Sequence, residues 1–169
     1  MNNPKKREIV SAAQTQISPV SNRAIAVTGE HYKTMTAFVQ AQMKKNVDFG
    51  VIPGTSKPTL LKPGAEKLCR LFSLRPGYEL IHFITDFEQP LFFYHYRCTL
   101  VRQGEMVGEG DGSCNSREKK YEAQKYKIFD LTNTICKMAQ KRALVAAVLS
   151  SCGASAFFTQ DLEDMGGVK

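Results

Sequence analysis

The residues best suited to chemistry lie in the second half of the chain. Glu118 and Lys120 form an E-x-K pair, and Asp111 lies a few residues upstream, in or after a strand pattern. Two carboxylates and a lysine can hold Mg²⁺ and orient a water for phosphodiester cleavage. A metal-dependent nuclease built on Asp111, Glu118 and Lys120 is therefore one expectation, although E-x-K also arises readily in a basic loop. Two other motifs carry less. Asp48-Phe49-Gly50 spells the metal-binding tripeptide of protein kinases, but no glycine-rich loop, V-A-I-K strand or H-R-D loop accompanies it. Gly50, Gly54 and Lys57 do not have the spacing of a phosphate-binding loop, so no ATP site is expected. The five cysteines (Cys69, Cys98, Cys114, Cys136, Cys152) are odd in number and contain no C-x-x-C pair. They read as reduced, buried thiols rather than a zinc site, and neither metal nor cofactor is expected.

A second kind of chemistry needs no reacting group. The net charge is +7 and the pI about 9.2, which suits a polyanionic partner, most simply nucleic acid. The charge is concentrated: Asn115 to Arg142 holds eight basic residues against three acidic. Within SREKKYEAQKYK, Tyr121 and Tyr126 are interleaved with Lys119, Lys120, Lys125 and Lys127. Rings on which bases stack, set among ammonium groups that neutralise phosphates, are what single-strand binding requires. A charged loop with two packing tyrosines is the plainer reading. Beyond it, Lys137 and Lys141 lie one helical turn apart with Arg142 beside them, and the end of the chain is acidic at Asp161, Glu163 and Asp164.

These residues need elements to position them. Residues 1–27 are polar, carry Lys5, Lys6 and Arg7, and are broken by Pro4 and Pro19, so a flexible basic arm is expected, with a short helix at 8–16. Tyr32, Met35, Val39 and Met43 predict a helix over 30–45, Pro53-Gly54 a short hairpin, and Leu61, Ala65, Leu68 and Phe72 a helix over 62–74 opened by Pro63. The pattern then changes to period two. Strands are expected at Tyr78–Phe87, Leu91–Arg102 and Glu105–Asn115. In the middle strand Phe92, Tyr94, Tyr96, Cys98 and Leu100 form the core side. Phe93, His95, Arg97, Thr99 and Val101 form the other, either a nucleic-acid platform or a half-exposed face. Gly108, Gly110 and Gly112 allow the third strand to bend or another backbone to come close. The longest helical pattern is Phe129–Ser150, with Ile135, Met138, Ala139, Ala143, Ala146 and Leu149 on one face and cations on the other. A short terminal helix is expected at 154–165. The expected fold is α+β: a curved antiparallel sheet of three or more strands, helices on one face and a long basic helix after it, forming one nucleic-acid-binding domain over 28–165 with a loose end at 166–169. No apolar run follows the basic N-terminus as in a signal peptide, and no segment approaches the roughly 18 apolar residues of a membrane span.

A bent antiparallel sheet, a basic connection, a long helix carrying Lys141-Arg142-Ala143-Leu144 and an acidic cluster after it resemble the phage and bacterial single-strand annealing proteins. These include the Erf and Red-beta types and the eukaryotic Rad-fifty-two annealase. The Erf type has an arginine-tyrosine-alanine-leucine run in that helix and aspartates after it, where this chain has Asp161, Glu163 and Asp164; no tyrosine follows Arg142 here. The likeness covers residues 76–165. It implies single-stranded DNA binding and annealing in recombination and repair, without ATP or catalysis, by a homo-oligomeric ring or filament in the cytoplasm of a bacterial or phage-infected cell. It also implies a partner such as a single-strand-binding protein or an exonuclease. The DNA-binding residues expected on this reading are Arg97, Arg117, Lys119, Lys120, Tyr121, Lys125, Tyr126, Lys127, Lys137, Lys141 and Arg142. RNA offers the same phosphates, and a non-catalytic subunit of a larger nucleoprotein complex is a further alternative.

Overall fold

The structure is a computed structural model that describes residues 20–51, 57–122 and 125–159, with backbone alone at 122 and 125–127. By its contacts the chain divides into two compact units, Met1–Ala41 and Gln42–Lys169. The first unit's helix, α1 (Asn22–Gln42), begins well before the expected residue 30. Ser21 explains the early start, because its Oγ accepts the Ala24 N–H at 3.2 Å and satisfies one of the open amides of the first turn. Tyr32, expected on the apolar stripe, is exposed.

The second unit opens with a tight corner. Asn46 takes a left-handed conformation (φ 65°), which turns the chain into β1 (Phe49–Gly50), and β1 pairs with β2 (Thr59–Leu60) as the expected hairpin. The kinase-like tripeptide is a structural anchor here. The Asp48 carboxylate is fully buried, accepts the Lys44 N–H at 2.8 Å and meets Lys67 Nζ at 2.6 Å. Burial alone would raise its pKa, but Lys67 and the Lys44 amide outweigh burial and hold it below the usual carboxylate range. Lys67 lies on α2 (Lys62–Leu71), so one ion pair ties the corner to the helix. Gly64 lets α2 approach: a Cβ there would strike the Asp48 carbonyl and lie 2.8 Å from Met43 Cε.

The three long strands β3 (Arg75–Asp86), β4 (Leu91–Arg102) and β5 (Glu105–Asn115) form an antiparallel sheet in sequence order. The last two have the bounds expected from their alternation, and β3 starts three residues early. Asp86 Oδ1 accepts the Glu88 and Gln89 amides and makes the first turn. Gln103 (φ 54°) and Gly104 (φ 89°) make the second, with the two positive φ values that a two-residue hairpin needs. The face assignment holds: Phe92, Cys98 and Leu100 are buried, with Tyr94 and Tyr96 packed against the core.

After α3 (Lys119–Glu122) and a 3-10 turn over Lys125–Leu131 comes α4 (Thr132–Ser151), three residues later than expected because the 3-10 turn occupies its predicted first turn. α4 packs on β4 and β5 and also meets α2. The glycines and alanines meet as their sizes suggest. A Cβ on Gly112 would collide with the Ala143 nitrogen and sit 2.6 Å from the Ala139 carbonyl oxygen, and one on Gly110 would collide with the Ala147 nitrogen. Two backbones come this close only where both carry almost no side chain. Gly153 (φ 64°) stops α4. The expected terminal helix is, among the described residues, the 3-10 turn Ala154–Ala156, followed by Thr159, which pairs beside β2. No helix among the described residues is long and apolar enough to cross a membrane.

Candidate nucleic-acid interface

The cationic side of α4 is built by three elements. Lys137 is exposed and Lys141, one turn on, is half-buried. Lys120, at the start of α3, and Lys62, at the start of α2, converge on Lys141 from their own elements. The Lys141 pKa is pushed down, first by burial and then by the charges of Lys120, Arg142 and Lys62. The neighbours have partial compensation: Lys62 lies 3.5 Å from Glu66 and Lys120 3.2 Å from Glu118. Among the described residues Lys141 has no carboxylate partner. A desolvated ammonium ringed by like charges is a position that an anion would relieve. Arg117 and Lys119 are exposed nearby in sequence, without an ion pair among the described residues.

Two expected contact residues have other roles. Arg142 makes a fork–fork pair with Glu118, at 2.7 and 2.8 Å, and also donates to the Ser113 carbonyl. Its guanidinium thereby clamps α4 to the end of β5 and the turn that follows. Burial would raise the Glu118 pKa, but hydrogen bonds from Arg142, Cys114 and Lys120 outweigh it and hold it at about 2. Arg142 is a clamp, not a cation left for phosphate. The acidic end at Asp161, Glu163 and Asp164 lies outside the described residues. Tyr121 is a core residue, 5% exposed, with its hydroxyl 3.7 Å from Cys114 Sγ and Lys120 Nζ 4.8 Å above its ring. Its ring is consumed by packing and is closed to a base, which corrects the expectation that it stacks. Period-two and helical patterns could not reveal this, because the turn after β5 rotates the chain. The side chains of Lys125, Tyr126 and Lys127 lie outside the described residues.

The opposite face of the sheet has another character. Arg97, expected on DNA, is held by Asp111 at 2.8 and 3.1 Å, with Glu109 at 3.9 Å and His95 Nε2 also 3.2 Å from Asp111. By register Glu79 lies opposite Arg97 as well. Three carboxylates against one guanidinium make this a face that repels a polyanion, so Arg97 does not belong with the cations of α4. The same geometry separates the nuclease set. Gly110 and Gly112 face α4, so Asp111 between them points to the far side, whereas Glu118 is bound to Arg142 on the helix side. Asp111 and Glu118 cannot share a metal ion across the sheet. Among the described residues no group of three or more His, Cys, Asp or Glu side chains is placed to hold a metal ion.

Residues absent from the expected site appear in the structure. Lys62 joins the cluster through the packing of α2 on α4. Phe87 and Phe129, 67% and 51% exposed, stack with their rings nearly parallel (4°) and centroids 6.1 Å apart. They are an exposed aromatic pair of the kind expected of the tyrosines, but 42 residues of chain separate them and no local pattern links them. A cavity of about 400 Å³ lined by Leu71, Phe72, Ser73, Arg102 and Gln103 lies at the opposite end of α2 from Lys62. No protein-family model and no curated protein matches the sequence.

Proposed function

We propose that the protein binds single-stranded DNA along the cationic side of α4 and anneals complementary strands without ATP, as a homo-oligomer acting in recombination or repair. The observation that carries this reading is Lys141: a half-buried ammonium close enough to Lys62 and Lys120 to feel their charges, with no carboxylate partner among the described residues. Such a cluster binds backbone phosphate without reading sequence, as annealing demands, since the bases must stay open to a second strand. Phe87 and Phe129 supply exposed rings for stacking. The separation of Asp111 from Glu118 favours this over the nuclease. The test incubates labelled complementary oligonucleotides with the protein, with and without Mg²⁺ and in DNA and RNA versions. The expected result is metal-independent annealing, with log affinity falling by roughly 0.7 per phosphate contact for each unit of log salt. Metal-dependent cleavage, or an affinity flat in salt, overturns it. Binding without annealing makes the protein a passive nucleoprotein subunit.

A further inference from the structure

Among the described residues, the edge strand β3 is exposed on both faces. α4 lies on β4 and β5, and β3 packs on β4. Tyr78, Leu80, Ile81, Phe83 and Ile84 are between 39% and 53% exposed in a row. A long edge with unpaired backbone groups and large apolar side chains is a template for another strand. Between Pro76 and Asp86 it carries no lysine, the residue that commonly protects such edges.

The sequence of β3 indicates which strand would fit. Aligned antiparallel to itself over its full length, it sets Arg75 opposite Asp86, Glu79 opposite His82 and Tyr78 opposite Phe83, each pair occurring twice about a two-fold axis between Leu80 and Ile81. In a regular twelve-residue strand this register would fail, because residues 75 and 86 would point to opposite faces. β3 is not regular: its pairing with β4 slips between Leu80 and His82, leaving Ile81 as an extra residue. The bulge restores the match. Arg75, Glu79, His82 and Asp86 all lie on the open face, opposite Val101, Arg97, His95 and Leu91, while Tyr78 and Phe83 both lie on the α4 side, opposite Cys98 and Tyr94. Charges therefore meet opposite charges or an imidazole, and rings meet rings, on matching faces. The antiparallel register displaced by two residues, with Gly77 opposite Asp86 and Glu79 opposite Ile84, pairs no charges.

We infer that β3 is the docking edge for a second copy of this chain, joined through a two-fold β3–β3 ladder into a six-stranded sheet. The axis is perpendicular to the sheet, so both α4 helices and their cations lie on one side. The contact closes on itself, and any larger ring or filament assembles such dimers through another surface.

The inference rests on the proposed homo-oligomer and names its contact; the test measures the mass of the full chain by sedimentation equilibrium without nucleic acid, so its failure is distinguished from a failure to anneal. The wild-type protein is expected at twice 18.9 kDa at micromolar concentration. Glu79→Lys sets lysine against His82 twice per dimer and is expected to raise the dissociation constant by about tenfold or more. The exchange Glu79→Lys with His82→Glu restores the pairing and is expected to restore the dimer. Circular dichroism confirms the fold of each variant. Phe83→Lys, on the other face of the same strand, is expected to leave a folded monomer. A wild-type monomer overturns the inference, as does a dimer indifferent to both Glu79→Lys and Phe83→Lys.

Discussion

The two edge strands of the sheet are of similar length yet are covered differently. On the α4 side β5 presents Gly108, Gly110 and Gly112, and the helix backbone lies directly on them. On the same side β3 presents Tyr78, Leu80 and Phe83, and α4 does not cover it. What separates covered from bare strand is side-chain volume under the helix. An alanine-rich helix gains most where its backbone can approach closely, because close-packed atoms supply the dispersion contacts that a gap forfeits. The bulky half of the sheet is then left available for another surface.

Gly112→Val tests this contrast most severely. Its side chain must enter space held by the Ala143 nitrogen and the Ala139 carbonyl, which are backbone atoms that cannot rotate away. A loss of about 3 kcal/mol or more is expected, read from urea unfolding.

Arg142→Ala is next. It removes the forked donor from Glu118, which keeps Lys120, and the guanidinium from the Ser113 carbonyl, and a loss of about 2 kcal/mol is expected. pH sharpens the point. The Glu118 pKa is about 2 in the folded protein against an ordinary 4.5, so the unfolded chain binds its proton first. The contribution of Glu118 is full above the ordinary value and is lost as pH falls toward 2. In Arg142→Ala the drop in melting temperature across that acid window should shrink.

Lys141→Met separates site from scaffold. The Lys141 pKa is pushed down, so its protonated form costs stability at neutral pH, a cost relieved as pH rises through the folded pKa. Methionine keeps the stem and removes the charge. The melting temperature should hold or rise slightly while affinity for a single strand falls and the salt slope shallows by roughly 0.7. Wild-type affinity in this variant would make the cation cluster scaffold alone.

Gly77→Ala on β3 should do least. The nearest atom to its Cβ is the Thr99 carbonyl oxygen at 3.9 Å. Thermal unfolding should show a change within about 0.5 kcal/mol, stabilising in sign, since alanine restricts the unfolded chain. The gap between this and Gly112→Val measures how unequally the two halves are packed.

Much of this architecture is legible in the sequence. The alternation of Leu91–Arg102 and Glu105–Asn115, the Gln103-Gly104 turn and the small residues of β5 and α4 are local signals, because side-chain direction repeats every two residues in a strand and every 3.6 in a helix. They gave the fold class and two strand boundaries, and left the glycines of the third strand open between a bend and a close approach. The candidate site was only partly readable, through the turn spacing of Lys137 and Lys141. Folding alone decided that Arg142 reaches Glu118 across 24 residues, that Tyr121 turns inward onto Cys114, that Asp111 and Glu118 fall on opposite sides of a sheet, and that Lys62 comes to stand beside Lys141. The first and last bring together residues far apart in the chain, and the other two depend on how the turn after β5 leaves the sheet. Periodicity says which face a side chain takes on its own element; what that face meets depends on how the elements pack.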